Sequence, residues 1–165
     1  MKVKVYNESN NPLPKYATNR SAGMDIQAFI TNNTKVKGQD SFIQDGEITI
    51  HAGGWALIPT GLSMVIPDNY EIQIRPKSGN SLKKGLIVLN SPGTIDADYT
   101  FEIGVIAWNV SKEDIIIKSG DYIAQIVLNR IPQIEFVSIT QEDLIAKRDN
   151  VNRIGGFGSS NKNVN

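Results

Sequence analysis

The chain has no cysteine and a single histidine. Without cysteine there is no disulfide and no thiolate metal site, which fits an intracellular protein. One histidine rules out a His-rich metal cluster and argues against a Ser-His-Asp triad. His51, in EITIHAGG, reads as a surface residue at a strand end. Net charge is also lacking: 17 basic residues balance 17 acidic ones, so no nucleic acid is expected as a partner. No apolar run approaches the ~20 residues of a membrane-spanning helix. The opening MKVKVYNESN has no apolar signal-peptide core. The expectation is a cytoplasmic protein with no membrane partner. GxxxxGKS/T is missing, so there is no P-loop. A chain that binds a triphosphate without one must collect donors from several loops and let magnesium neutralise the rest. No solenoid repeat and no second-domain boundary is visible.

What is present is a series of short alternating stretches. At 165 residues the chain is long enough for one domain with a real core. Lys2–Tyr6, Ser21–Phe29, Gly46–His51, Trp55–Ile66 and Tyr70–Arg75 read as strands, with a turn expected at Gly53-Gly54. Thr31–Ser41 is polar and reads as a surface loop, and Pro76–Gly85 has room for one helical turn. Leu86–Leu89, Phe101–Val110, Asp114–Lys118, Asp121–Leu128 and Ile134–Ile139 continue the strand series, and Gln141–Ala146 reads as a short helix. From Lys147 onward Asn, Gly and Ser dominate. This predicts a core over residues 1–147 and a flexible tail over 148–165. Turn-separated short strands with almost no helical periodicity predict an all-β sandwich, jelly roll or barrel.

The densest chemistry lies in Asn90–Glu102, NSPGTIDADYTFE. Turn formers lead into two carboxylates, Asp96 and Asp98, beside Tyr99. The set can act as base, metal contact and stacking surface, or as plain turn chemistry. Four other polar segments accompany it. Asp25 lies in AGMDI, as a strand-edge charge or a group near a cation. Arg75-Pro76-Lys77-Ser78-Gly79 has the composition of an anion-binding nest or of a solvated basic loop. Gln125, in GDYIAQ, carries an amide that needs a partner if half buried. RIGGFGSS, at Arg153–Ser160, has the parts of a phosphate-closing flap: forked donors, glycine amides, hydroxyls and a ring that can stack.

In this order the five segments resemble the five motifs of the trimeric dUTPase family, over nearly the whole chain. The set of RPKSG, NSPGTIDADY and terminal GGFGSS is the specific part. The resemblance implies a jelly-roll-like, β-clip or barrel subunit with at most one or two short helices, three copies of which share sites as a homotrimer. It implies magnesium-dependent hydrolysis of dUTP to dUMP and pyrophosphate, by water attack at the α-phosphorus. That activity keeps uracil out of DNA and supplies dUMP for dTMP synthesis. Asp96 would activate the water. Tyr99 would lie under the deoxyribose and leave no room for a 2′-hydroxyl. Asn90, Gly93, Thr94, Ile95 and Gly104 would read the uracil edge. Lys77, Ser78 and Gly79 would hold phosphate oxygens from a neighbouring subunit, with Gln125 nearby. Asp25 would reach Mg2+ through a water, the ion being held mainly by substrate phosphates. The tail would close over substrate, with Phe157 on uracil and Arg153, Gly158, Ser159 and Ser160 near the terminal phosphates.

The chain departs from the family pattern at four places. Phe101 stands where glycine is usual; it shares an expected strand face with Ile103 and Val105, so a packing change is expected there. Tyr122 stands where arginine is frequent. Arg153 is one residue closer to Phe157 than usual, and Asn161 replaces a final glycine. A dCTP deaminase would place a glutamate near Ile106, but Gly104–Trp108 holds no carboxylate. A dUTP-sensing regulator would not need Asp96, and a capsid-like jelly roll would not need the five segments together.

Overall fold

The computed structural model describes residues 1–148. Their elements, in order, are β1 (Lys4–Asn7), β2 (Met24–Gln27), β3 (Gly38–Gln44), β4 (Glu47–Pro59), β5 (Leu62–Val65), β6 (Tyr70–Arg75), α1 (Ser78–Lys84), β7 (Leu86–Val88), β8 (Gly93–Ile95), β9 (Gly104–Asn109), β10 (Ile115–Lys118), β11 (Tyr122–Arg130) and α2 (Gln141–Arg148). The fold is all-β and jelly-roll-like, with two short helices among the described residues. One sheet runs β10-β4-β9-β7, with β3 also paired to β4; a second runs β2-β11-β6-β8; β1 and β5 form a separate pair. A first compact unit spans Met1–Pro132.

Period-two sequence alternation becomes alternating burial. In β9, Val105, Ala107 and Asn109 point inward, and in β10 Ile115 and Ile117 do. The deepest side chains are mostly isoleucines: Ile26, Ile48, Ile50, Ile58, Ile103 and Ile117. β-Branched residues suit the pleated surface, and each buried one contributes roughly 1.5–3 kcal/mol relative to exposure. Asn109 and Thr60 are the polar exceptions, Asn109 at 0% exposure. Its Nδ2 donates to the carbonyls of Ile50 (2.9 Å), His51 (3.1 Å) and Glu113 (2.7 Å). Its Oδ1 accepts from the Ser111 amide at 2.9 Å and the Ser111 hydroxyl at 2.7 Å. One side chain therefore ties the end of β9 to β4 and to the following turn.

Four expectations from the sequence change. The end of the expected loop Thr31–Ser41, from Gly38 on, belongs to β3, whose register runs from Gly38 opposite Ala56 to Gln44 opposite Glu47. An edge strand pairs through its backbone, so its polar side chains hide it from a hydrophobic pattern. The chain does not reverse at Gly53-Gly54: β4 is continuous through both, with Gly53 at φ 81°. The turn-forming stretch between the expected strands Leu86–Leu89 and Phe101–Val110 contains a strand, β8, which pairs with β6. Phe101 is outside any strand, because β9 begins at Gly104.

A second unit begins at Gln133. Ile134–Ile139 is not a strand, and Phe136 is 90% exposed. No described residue pairs with this stretch, so its alternation has no ladder to join. α2 forms as expected, slightly longer, behind a reciprocal cap: the Asp143 amide donates to the Thr140 hydroxyl at 3.2 Å and the Thr140 amide to the Asp143 carboxylate at 3.3 Å. Its first turn also holds the Glu142 carboxyl below its ordinary value, through its own backbone N–H and then the Thr140 hydroxyl. The expected tail motif lies outside the described residues.

Candidate functional site

The stretch from Leu89 to Ile103 leaves one sheet, visits the other and returns. β7 pairs with β9, β8 crosses to pair with β6, and the chain re-enters the first sheet at Gly104, opposite Pro59. The crossing opens a cavity of about 620 Å³. Ile74 of β6, Leu57 and Pro59 of β4, and Ile106 of β9 give it apolar walls. Asn90, Gly93, Thr94, Ile95, Tyr99 and Gly104 also line it. These are the residues expected to read the base and sugar.

Two glycines make this geometry possible. A Cβ on Gly93 would stand 3.2 Å from Asn90 Nδ2, so glycine lets the Asn90 amide lie over the β8 backbone. A Cβ on Gly104 would come within 2.6 Å of Leu57 Cδ1 and push into the cavity wall. Polar backbone and amide groups against apolar walls suit a flat heterocycle with donors and acceptors at its edge. Tyr99 is held by its backbone N–H, which donates to the Asp96 carbonyl at 3.1 Å, and by its Oη, which donates to the Glu102 carbonyl at 2.9 Å. Glu102 is fixed in turn, its Oε1 accepting the Gly61 amide at 2.7 Å. Asp96 is exposed in the turn after β8 and lines neither this cavity nor the next groove.

A second groove, about 440 Å³, shares no lining residue with the first. Ser78, Ser81, Gln73, Arg75, Pro76 and Gln125 line it together with Ser91 and Pro92. Gln125 sits opposite both Asp25 and Arg75 in the sheet, and its Nε2 donates to the Pro76 carbonyl at 2.9 Å. The half-buried amide thus has its partner. Gly23 makes room for it, since a Cβ there would stand 2.5 Å from Gln125 Oε1. Lys77 forms an ion pair with Asp25. Its Nζ also lies 5.4 Å from the centre of the Tyr122 ring. Asn80 Nδ2 donates to the Tyr122 carbonyl at 2.8 Å, so β11 holds both ends of the Lys77–Asn80 segment.

The dUTPase family model matches residues 42–161. The chain is 42% identical over 158 residues to the deoxyuridine 5'-triphosphate nucleotidohydrolase of Finegoldia magna, covering 96% of this chain and 97% of the relative. It is 43% identical over 160 residues to the enzyme of that name from Cytophaga hutchinsonii, covering 97% and 92%. The chain belongs to the dUTPase family. Its fold also matches that of a mutant dUTPase from phage phi11 of S. aureus, with TM-score 0.69 and 20% identity over 86% of this chain and 98% of that one. That phage enzyme coordinates a structural Mg(II) ion.

The dUTPase motifs fall into two groups in one chain. Asn90, Gly93, Thr94, Ile95, Tyr99 and Gly104 converge on the first cavity; Ser78 and Gln125 share the second groove. Asp25 and Lys77 pair beside that groove, and Gly79 lies within α1. Arg153, Phe157, Gly158, Ser159 and Ser160 lie outside the described residues. Sequence reasoning missed Glu102 as the anchor beneath Tyr99, and the walls Leu57, Pro59, Ile74 and Ile106. Nothing in the spacing marks Glu102; the alternation of β6 marks Ile74 as core, while Ile106 lies on the face of β9 opposite its buried residues. Among the described residues no group of three or more His, Asp or Glu converges to hold a metal. The donor set around Asp25 fits a Mg2+ ion that takes phosphate oxygens and water as ligands, and does not fit a protein cage.

Proposed function

We propose that this chain is a dUTP diphosphatase, hydrolysing dUTP to dUMP and pyrophosphate by water attack at the α-phosphorus. The carrying observation is the cavity lined jointly by Asn90, Gly93–Ile95, Tyr99 and Gly104 in a chain of this family. Asn90 and the β8 backbone pair with the uracil edge, and a wrong base leaves their buried donors and acceptors unpaired. Tyr99 packs against deoxyribose and excludes a 2′-hydroxyl. Asp96 holds the attacking water and takes its proton as general base. The support for this is an exposed carboxylate at the cavity's turn, engaged by none of the described residues.

Lys77, Ser78 and Gly79, with Gln125, bind the phosphates, and Asp25 orients water around Mg2+. The ion, when bound, neutralises phosphate charge. Phosphate binding draws Lys77 away from Asp25, which frees the carboxylate for that water. The two grooves have no lining residue in common, which supports sites shared between copies: one subunit offers its nucleoside cavity, another its Ser78–Gln125 groove. Exposed apolar side chains on Ile134, Phe136, Val137 and Ile139 support the same assembly, a homotrimer. Arg153, Phe157, Gly158, Ser159 and Ser160 close the site. The protein acts in the cytoplasm, in dUTP catabolism and dUMP supply for dTMP synthesis.

Pyrophosphate release with dUTP, UTP, dCTP and dTTP, with and without Mg2+, tests this. Release confined to dUTP and lost without the ion is expected; equal turnover of dTTP or UTP would refute it. Asp96→Asn is expected to bind dUMP normally while turnover falls by two or more orders of magnitude. Sedimentation is expected to show three subunits, and a fully active monomer would refute shared sites.

A further inference from the structure

Phe101 is 73% exposed. A phenyl ring left in water gains nothing from core burial, so its position needs another cause. The family glycine is not required here, because Phe101 is not among the residues at positive φ. Nor does the ring join Ile103 and Val105, which are buried while Phe101 faces out. It meets Tyr99 instead, with ring centroids 5.7 Å apart and planes at 65°. That edge-to-face arrangement is attractive. Tyr99 lines the nucleoside cavity and Phe101 does not.

Among the described residues Tyr99 has one other side-chain hold, the 2.9 Å bond from Oη to the Glu102 carbonyl. That bond fixes the far end of the ring. It leaves the ring plane free to swing about the line from Cα to Oη. A second contact on the ring removes that freedom, and Phe101 supplies it. Both supports stand on a fixed base. Glu102 Oε1 accepts the Gly61 amide, and the Ile103 amide donates to the Leu62 carbonyl at 2.8 Å. Thr60 Oγ1 donates to the Ile103 carbonyl at 2.6 Å.

We infer that Phe101 is a positioning residue that fixes the plane of the Tyr99 ring and so sets how strongly the cavity prefers deoxyribose over ribose. The inference rests on the reading of Tyr99 as the surface beneath the sugar. Excluding a single hydroxyl is a steric matter, and a ring that tilts by roughly an ångström at its edge makes room for it. Loss of Phe101 therefore admits the ribonucleotide more than it harms the deoxyribonucleotide. A merely structural residue would weaken both equally or lower the melting temperature.

The test uses the full chain with Phe101→Gly, Phe101→Leu, Phe101→Tyr and Tyr99→Ala. The readout is the ratio of inhibition constants for UMP and dUMP, with the kcat/KM ratio for dUTP over UTP beside it. Phe101→Gly and Phe101→Leu are expected to lower both ratios roughly three- to tenfold, the scale of one aromatic pair. For dUTP the change falls on KM, with kcat kept. Phe101→Tyr restores the ratios. Unchanged ratios in Phe101→Gly, alongside a collapse in Tyr99→Ala, would overturn the role of Phe101 and leave the sugar reading intact. Unchanged ratios in Tyr99→Ala would overturn the sugar reading itself. Restoration by leucine would show bulk, not the ring pair, to be the cause, and would also overturn the inference.

Discussion

Gly23→Ala offers a direct test of how the second groove is held. Gly23 lies just before β2, and a Cβ there would stand 2.5 Å from Gln125 Oε1, 3.2 Å from Val127 Cγ2 and 3.3 Å from the Ile126 carbonyl. The Gln125 amide must retreat by roughly 0.7 Å or more to reach ordinary contact. Its 2.9 Å bond to the Pro76 carbonyl cannot survive that retreat. Losing it costs about 1 kcal/mol net, and crowding at Val127 and Ile126 adds about 0.5–1 kcal/mol. The stiffer unfolded chain returns about 0.4–1 kcal/mol. The balance is a destabilisation near 1 kcal/mol, or a melting temperature lower by about 2–4 °C. Pro76 precedes Lys77 and Ser78, so a loosened segment is expected to raise the KM for dUTP about fivefold, the kinetic equivalent of that energy. The assay is a double-mutant cycle with Gln125→Ala, read by thermal unfolding and by KM. With Gln125 already truncated, Gly23→Ala is expected to cost almost nothing more. Equal cost in both backgrounds would refute the clash. Gly79→Ala is the contrast: nothing lies within 4 Å of its Cβ, and it sits in α1, so a gain in stability of about 0.5–1 kcal/mol is expected.

Two further outcomes follow from other parts of the molecule. Asn109→Ala empties a position where five hydrogen bonds meet, and is expected to cost about 3–5 kcal/mol in denaturant unfolding, since the buried Ile50 carbonyl loses its donor and β9 loses its tie to β4 and the following turn. Deleting Asn152–Asn165 is expected to lower dUTP turnover by orders of magnitude while sedimentation still shows three subunits; full activity of the shortened chain would refute a closing role for Phe157 and its neighbours.

Local patterns were legible where burial alone sets them. The alternation of Tyr70–Arg75 became β6, and Ile115 and Ile117 became the inner face of β10, because a half-buried strand must alternate. The polar strand β3 was not legible, since an edge strand is held by backbone bonds that any side chain permits. The continuity of β4 was hidden by two glycines that suit a turn as well as a bulge. β8 was hidden inside turn-forming residues because its partner, β6, lies far back in the chain. Phe101 misled for a related reason: its spacing from Ile103 and Val105 implies a shared face only if the strand has already begun.

By itself, the sequence determined the all-β class, the family and the set of residue types for the site, because those depend on period, composition and motif order. The tertiary structure alone decided which of those residues meet. Asn90 lies over Gly93, Gln125 reaches Pro76 past Gly23, Lys77 finds Asp25 and Tyr122, and Tyr99 rests on Glu102 and Phe101. Most of these meetings follow from the crossing of one short strand between two sheets and from the pairing of β11 with β2 and β6. Sheet pairing brings together residues dozens of positions apart, and no local pattern encodes that pairing.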